Sequence, residues 1–270
     1  MRPAGRWSYA ALFAVVLGSA FPLCWSFLLA SQDNEAIGSV PPTLTPGGNL
    51  LQNATRVFGQ VEFAKAIVNS LVVAGSITVS VVVSSTLAGF AFAKLRFRGR
   101  QALMIMVIAT MLIPVQLGVI PLYILMAELG WTGRIQSVIV PFLVSAFGVF
   151  FMRQYLVRAV PDELLEAARI DGCSTTGMVR HVVVPAARPA AAVLGLFTFV
   201  QAWNDFLWPL VVLTPEDPTV PVALSALASG YYEDYALVLT GTVIGTVPML
   251  VVFALLGRHI IGEFMRGGVN

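Results

Sequence analysis

The sequence carries little charge and only two cysteines. Asp, Glu, Lys and Arg make up 11% of its 270 residues, whereas soluble domains carry about 25%. Hydrophobic residues make up 57%, and the charges stand in short groups between long apolar runs. Cys24 and Cys173 would lie at different depths, which argues against a disulfide framework. No polar segment is long enough to bury a core of its own. The composition therefore excludes a soluble globular domain and predicts an all-α integral membrane protein.

Residues for several kinds of catalytic chemistry are also scarce. Neither Lys65 nor Lys94, the only lysines, is followed by the Ser or Thr that a Walker A loop requires. His181 and His259, the only histidines, have no His or Cys at i+4 that would suit a metal site. No Gly-x-Ser-x-Gly motif occurs. The net charge of +2 gives no indication of a nucleic-acid partner. The chain is predicted to be no enzyme, to hold no metal or cofactor, and to take its energy from a partner.

Six apolar stretches are predicted to be transmembrane helices, for which about 20 residues are typical. They cover residues 9–30, 66–93, 102–126, 136–151, 190–213 and 235–256 of a single transmembrane domain, 1–270. The basic start before the first stretch is also typical of a signal peptide. That stretch is long for a signal core and no small-x-small cleavage site closes it, so it is predicted to be a retained span. Pro114 and Pro121 predict kinks in the third span.

The basic residues are distributed unevenly among the loops. With the N-terminus inside, the inner segments hold 13 of the 16 Lys and Arg residues and the outer loops hold 3. Cytoplasmic loops of membrane proteins carry the excess of Lys and Arg. Both termini and the long loop 152–189 are therefore predicted to be cytoplasmic.

That loop, here called the elbow (residues 152–189), has the pattern of a helix–turn–helix. Pro161 suits the first turn of a helix, and Gly172 suits the left-handed residue that ends it. One face of this helix would carry residues at i, i+3, i+4 and i+7: Leu164, Ala167, Ala168 and Asp171. Ser174 or Thr175 would cap a second short helix, which Pro185 would end or kink. The two alanines would let another surface approach the first helix closely.

The residue string of the elbow is more specific than its shape. Glu166-Ala167-Ala168, then Asp171-Gly172, Val182–Pro185 and Pro189, closely resembles the EAA loop of ABC-importer permeases. Its flanking residues resemble most the carbohydrate-uptake branch, in the manner of the smaller permease of maltose-type importers. The resemblance implies a type I importer permease fold with six transmembrane helices, in the bacterial cytoplasmic membrane. It also implies that the elbow is a coupling helix, with ATPase-coupling residues Leu164, Glu166, Ala167, Ala168, Asp171 and Gly172.

The same resemblance implies a set of partners. They are a second permease subunit, a dimer of cytoplasmic ATPase subunits that holds ATP and magnesium, and an extracytoplasmic solute-binding protein. The solute would be a sugar, although glycerol 3-phosphate also fits this branch. An ion-coupled secondary transporter is the alternative, but it would need an internal repeat and coupling groups at the midplane. A membrane scaffold would leave the elbow unexplained.

Polar residues inside the predicted spans are candidates for a solute path. The fifth span carries four of them at i, i+3, i+4 and i+7: Gln201, Asn204, Asp205 and Trp208. An ionisable group in a span faces protein or water by default. The four residues would either bond across a helix interface or line a hydrophilic wall, with Trp208 offering its ring to a sugar. Asn69 and Gln116 are further candidates, and helix–helix contacts would explain them too.

Overall fold

The structure is a computed structural model that describes residues 5–41, 43–229 and 234–267. Every regular element within these ranges is helical. In chain order the α-helices are α1 (Arg6–Ala30), α2 (Asn34–Ile37), α3 (Leu50–Gln60), α4 (Phe63–Lys94), α5 (Arg100–Met111), α6 (Val119–Glu128), α7 (Gln136–Ile139), α8 (Ala146–Ala159), α9 (Asp162–Ile170), α10 (Thr175–Met178), α11 (Val184–Trp203), α12 (Leu207–Val212), α13 (Val220–Ala228) and α14 (Tyr235–Gly267). The chain divides into two compact units, Met1–Ala64 with Val222–Pro248, and Lys65–Pro221 with Met249–Asn270.

Several of these helices are long and apolar enough to cross a membrane. Four unbroken helical stretches qualify: Trp7–Ala30, Phe63–Lys94, Thr175–Trp203 and Tyr235–Leu255. Two bent pairs also qualify, Arg100–Met111 with Val115–Glu128 and Gln136–Phe142 with Ala146–Ala159, and their bends are 88° and 40°. If each bent pair is one span, the number is six. The chain is thus an all-α, multi-pass membrane protein, as its composition predicts.

Of the two kinks predicted in the third span, at Pro114 and Pro121, the structure confirms only the first. The 88° bend lies between Met111 and Val115 and includes Pro114. Pro121, in contrast, lies in the first turn of α6, where a proline does not interrupt helical hydrogen bonds. The prediction of a kink at Pro121 is therefore wrong. A 3₁₀ turn, Val115–Gly118, connects the bend to α6.

The predicted fifth span, 190–213, is wrong at both ends. The helix begins well before residue 190, since α10, a π-helical turn (Val179–Val183) and α11 form one continuous stretch. It stops at Trp203, and α12 begins separately at Leu207. Pro209 disfavours a continuous helix here, because its ring would clash with the carbonyl four residues before it, that of Asp205.

Pro185 does not end the second elbow helix. The backbone N–H of Val184 donates to the carbonyl of Val179, five residues back, which closes the π turn. Pro185 follows in the first turn of α11 and, because it has no N–H, leaves one helical hydrogen bond unmade. The chain therefore stays helical through the proline and passes directly into the span.

Helices α4 and α8 approach each other through glycines. A Cβ atom added at Gly89 of α4 would lie 2.8 Å from the backbone nitrogen of Arg153 and 2.8 Å from the Cβ of Met152. A Cβ added at Gly148 of α8 would collide with the hydroxyl of Ser85. Met152 belongs to the main hydrophobic core of the larger unit. Small residues of this kind let the backbones of membrane helices come close.

The smaller unit is tied together by polar bonds around the end of α1. The Asn53 amide donates to the carbonyls of Ala30 and Gln32, at 3.1 and 2.8 Å. The Thr240 hydroxyl donates to the Ala30 carbonyl at 3.0 Å. The most apolar window of α1 itself contains no buried residue. Such a helix requires lipid or another chain around it.

Candidate functional site

The first elbow helix, α9, has clear start and stop signals in its own sequence. Pro161 precedes it. The acidic residues Asp162 and Glu163 lie in its first turn and the basic Arg169 lies in its last turn, so these charges interact favourably with the helix dipole. Gly172 ends it with φ of 80°. The N–H of Gly172 donates to the Arg169 carbonyl at 3.0 Å, and the next N–H donates to the Ala168 carbonyl at 2.9 Å. This pair of bonds is the Schellman motif, which confirms the predicted role of Gly172.

The second elbow helix begins as predicted at a capping serine. The hydroxyl of Ser174 accepts a hydrogen bond from the N–H of Gly177 at 3.2 Å. His181 follows in the π turn, and its Nδ1 lies 3.0 Å from the Gly177 carbonyl. No group of three or more His, Cys, Asp or Glu side chains that could hold a metal occurs within residues 5–41, 43–229 and 234–267. The cap and the glycine turn together give the elbow a defined shape.

Helix α9 buries one side and leaves the other open. Leu165 is 5% exposed in the core, and Ala168 packs half-buried against the same core. Leu164 is 48% exposed and Ile170 is 86% exposed. The other predicted coupling residues are all exposed: Glu166, Ala167, Asp171 and Gly172. Ala168 thus lies on the inner edge of the predicted face and is not part of its open surface.

The open side of α9 carries an apolar surface that we call the α9 face, formed by Leu164, Ala167 and Ile170. These residues follow each other at intervals of three, so they lie along one side of the helix. Ile170 was not among the residues that the sequence pattern indicated. Its signal is a bulky apolar residue between Arg169 and Asp171, in a segment that is otherwise polar. A contiguous exposed apolar surface with polar residues around it is typical of a protein contact.

The candidates for a solute path do not share a single helical face. Gln201 lies on α11 and is exposed, while Asn204 and Asp205 lie in the break before α12. The Asn204 amide donates to the Val200 carbonyl at 2.8 Å. Trp208 is only 3% exposed, and its Nε1 donates to the Ser137 carbonyl at 3.0 Å. The prediction that Trp208 offers its ring to a sugar is therefore wrong in this structure, because the ring is enclosed by protein.

Asp205 lies beside the start of α12. Its carboxylate is near the backbone N–H of Trp208, one of the free donors of that helix. The side chain is half-buried. The two remaining candidates, Asn69 and Gln116, differ in their surroundings. The Asn69 amide donates to the Pro218 carbonyl at 3.0 Å, whereas Gln116 is exposed on the 3₁₀ turn beside the 88° bend.

The position of Asp205 beside the start of α12 gives a testable expectation. Asp205→Asn should keep the local structure and the uptake activity, because asparagine and aspartate are about equally favourable at a helix start. Asp205→Ala should lower the free energy of unfolding by up to about 1 kcal/mol, because alanine is much less favourable there. Thermal unfolding and solute uptake by the assembled complex measure the two effects. Lost uptake in a normally assembled Asp205→Asn variant would instead assign the negative charge to the solute path.

Comparison with known proteins identifies a family. The family model described as "Binding-protein-dependent transport system inner membrane component" matches residues 81–260. The chain is 31% identical to the lactose transport system permease protein LacG of Rhizobium radiobacter, over 97% of this chain and 95% of that protein. It is 32% identical to the sn-glycerol-3-phosphate transport system permease protein UgpE of Escherichia coli K12, over 95% and 94%.

Two further comparisons extend this result. The arabinooligosaccharides transport system permease protein AraQ of Halalkalibacterium halodurans is 35% identical over 75% of this chain and 72% of that protein. A chain from the crystal structure of a bacterial ABC transporter, involved in the import of the acidic polysaccharide alginate, superimposes with a TM-score of 0.78. It covers 96% of this chain and 99% of that chain, at 22% identity. At this identity the superposition shows the fold alone.

Proposed function

Because the chain belongs to the family of binding-protein-dependent transport system inner membrane components, we propose that it forms half of the transmembrane path of an ATP-driven importer for a sugar or sugar-like solute. As a member of this family it is a multi-pass permease subunit of an ABC importer. The elbow docks onto a separate cytoplasmic ATPase, and both termini lie on the same side as the elbow. The 13-to-3 distribution of basic residues supports this orientation.

The observation that carries the proposal is the α9 face. Leu164, Ala167 and Ile170 expose apolar area on a helix whose other open residues are polar, and the Schellman turn at Gly172 fixes where that helix stops. In this proposal Leu164, Glu166, Ala167, Asp171 and Gly172 contact the ATPase, and Ala168 supports α9 from the core side. ATP and magnesium are held by the ATPase, and this chain performs no catalysis.

The polar side chains of the candidate path favour an uncharged solute. The exposed polar side chains among the candidates are the amides of Gln116, Gln201 and Asn204, whereas Asp205 is half-buried, and the candidates include no Lys or Arg. Amides suit the hydroxyl groups of a sugar as donors and acceptors. A phosphate would favour arginine or lysine. Glycerol 3-phosphate remains the second candidate, because the UgpE relative matches nearly the whole chain.

Reconstitution tests the proposal. This chain alone in liposomes should import no solute, with or without ATP, because half of the path and the ATPase are missing. Together with a second permease, the ATPase and the solute-binding protein, it should import sugar only when ATP is supplied. The control is the same complex with non-hydrolysable ATP. Uptake by this chain alone, driven by a proton or sodium gradient, would contradict the proposal and favour the ion-coupled transporter.

A further inference from the structure

The end of α4 and the start of α9 meet at one ion pair. The Nζ of Lys94 donates to Oδ1 of Asp162 at 2.8 Å and to the Val157 carbonyl at 3.4 Å. Lys94 lies in the last turn of α4, Asp162 in the first turn of α9, and Val157 in the last turn of α8. One ammonium group thus joins the ends of three helices.

The two partners of this ion pair differ strongly in exposure. The Lys94 side chain is 7% exposed and the Asp162 side chain is 77% exposed. An ammonium that is removed from water needs a partner, because an unpaired buried charge is strongly destabilising. Asp162, in contrast, is solvated whether or not it is paired. Loss of the contact would therefore destabilise Lys94 and the end of α4, whereas it would cost the solvated carboxylate little.

Asp162 stays ionised near neutral pH. The Lys94 hydrogen bond, followed by the Lys94 charge, holds the pKa of Asp162 below its ordinary value, and Arg96 acts in the same direction. Because this pKa is lowered, the contribution of the pair is present above the ordinary aspartate pKa. It is lost only as the pH falls through the lowered value. Titration of Asp162 therefore does not switch the contact near neutral pH.

Apolar contacts continue beneath the ion pair. Phe90 of α4, Leu156 of α8 and Leu165 of α9 are all buried in the same hydrophobic cluster. Such close-packed interiors transmit displacement instead of absorbing it. Helix α9 is therefore attached to α4 and α8 by a packed layer, with the Lys94–Asp162 pair at its rim.

We propose that Lys94 is a positioning residue that holds the start of α9 against the end of α4, so that a displacement of α9 is passed into that helix. The inference rests on the proposed function, in which a bound ATPase moves α9. Helix α4 has 32 residues and is about 48 Å long, at about 1.5 Å per residue. A shift at its inner end is thus carried across the whole bilayer.

The opposite end of α4 offers a matched control. Lys65, in the first turn of the same helix, pairs with Asp217 at 2.6 Å, and both side chains are about half exposed. This pair has the same chemistry as Lys94–Asp162 and lies far from the elbow. Its removal should change transport little, since exposed ion pairs contribute little to stability.

The test measures solute molecules imported per ATP hydrolysed, in the reconstituted four-component complex. Lys94→Met and Asp162→Asn should each lower this ratio about tenfold, which corresponds to roughly 1.4 kcal/mol. The subunits should still copurify in normal stoichiometry. Lys94→Arg should keep the ratio near that of the unchanged complex, and so should Lys65→Met and Asp217→Asn. The double variant Lys94→Met/Asp162→Asn should be no worse than the poorer single variant, because both changes remove one interaction.

Each alternative result has a distinct meaning. An unchanged ratio in both Lys94→Met and Asp162→Asn would overturn the positioning role, and so would multiplicative losses in the double variant. If Lys94→Met prevents assembly, Asp162→Asn still decides the question, because Asp162 is exposed and asparagine keeps an oxygen that can accept a hydrogen bond from Lys94. Absence of ATP-driven import in the unchanged complex would contradict the proposed function instead.

Discussion

Replacement of Ala167 by arginine is expected to lower ATP-driven uptake strongly while the chain remains folded in the membrane. Ala167 is exposed in the free chain, so a long side chain there meets only water and costs little. In the complex the same side chain would occupy space that the ATPase needs. Overfilling a packed contact costs roughly 1–3 kcal/mol, and burial of an unpaired guanidinium adds to this.

The expected size of this effect follows from those energies. Association with the ATPase should weaken roughly 10- to 100-fold, since each 1.4 kcal/mol is a factor of ten. Copurification of the ATPase and uptake assays measure it. Ala167→Ser is the matched control, because a small hydroxyl at the same position should leave both readouts near normal. Normal ATPase binding and normal uptake by Ala167→Arg would show that α9 is a connector and not a docking surface.

Gly89→Ala is expected to destabilise the membrane-embedded core by roughly 1–3 kcal/mol, the usual cost of overpacking. The added methyl group would lie 2.8 Å from the backbone nitrogen of Arg153, and a helix backbone cannot yield as a flexible side chain does. Helices α4 and α8 must therefore separate. This loss of stability is expected even though the helix propensity of alanine exceeds that of glycine by about 1 kcal/mol.

Gly75 provides the control for this second prediction. It lies on the same helix, and a Cβ atom added there meets nothing within 4 Å. Gly75→Ala should therefore leave stability unchanged or raise it by up to about 1 kcal/mol. Thermal unfolding of the purified chain in detergent compares the two variants. Equal stability of Gly89→Ala and Gly75→Ala would mean that α4 and α8 are not in close contact.

The elbow is the part of the chain whose local structure could be predicted most closely from its residues. Its signals are short-range: Pro161 before a helix, Gly172 after it, and Ser174 as the next cap. Each acts through bonds to residues at most a few positions away, so no knowledge of the rest of the fold is needed. Ile170 was missed because the importance of an exposed apolar residue depends on what surrounds it in space.

The break after Trp203 shows where an apolar pattern misleads. Apolar residues on both sides of the polar positions 201–205 make 190–213 look like one span, and hydropathy does not reveal the effect of Pro209 on the preceding turn. Once the helix stops, the spacing of Gln201, Asn204, Asp205 and Trp208 no longer places them on one side. The burial of Trp208 against Ser137 depends on a contact between residues 71 positions apart. No local pattern contains that information.

The π turn at Val179–Val183 is equivalent to a one-residue insertion that the helix accommodates without a break. Met178 and Val183 are both buried, although they are five positions apart. In a regular α-helix, residues at this spacing would point in directions about 140° apart, at about 100° per residue. The wider turn brings them to the same side, and the buried side then continues through Ala187 and Leu194. A relative with one residue fewer between Met178 and Val183 would keep the same side buried with an ordinary helical turn, so alignments of this family should allow a gap there.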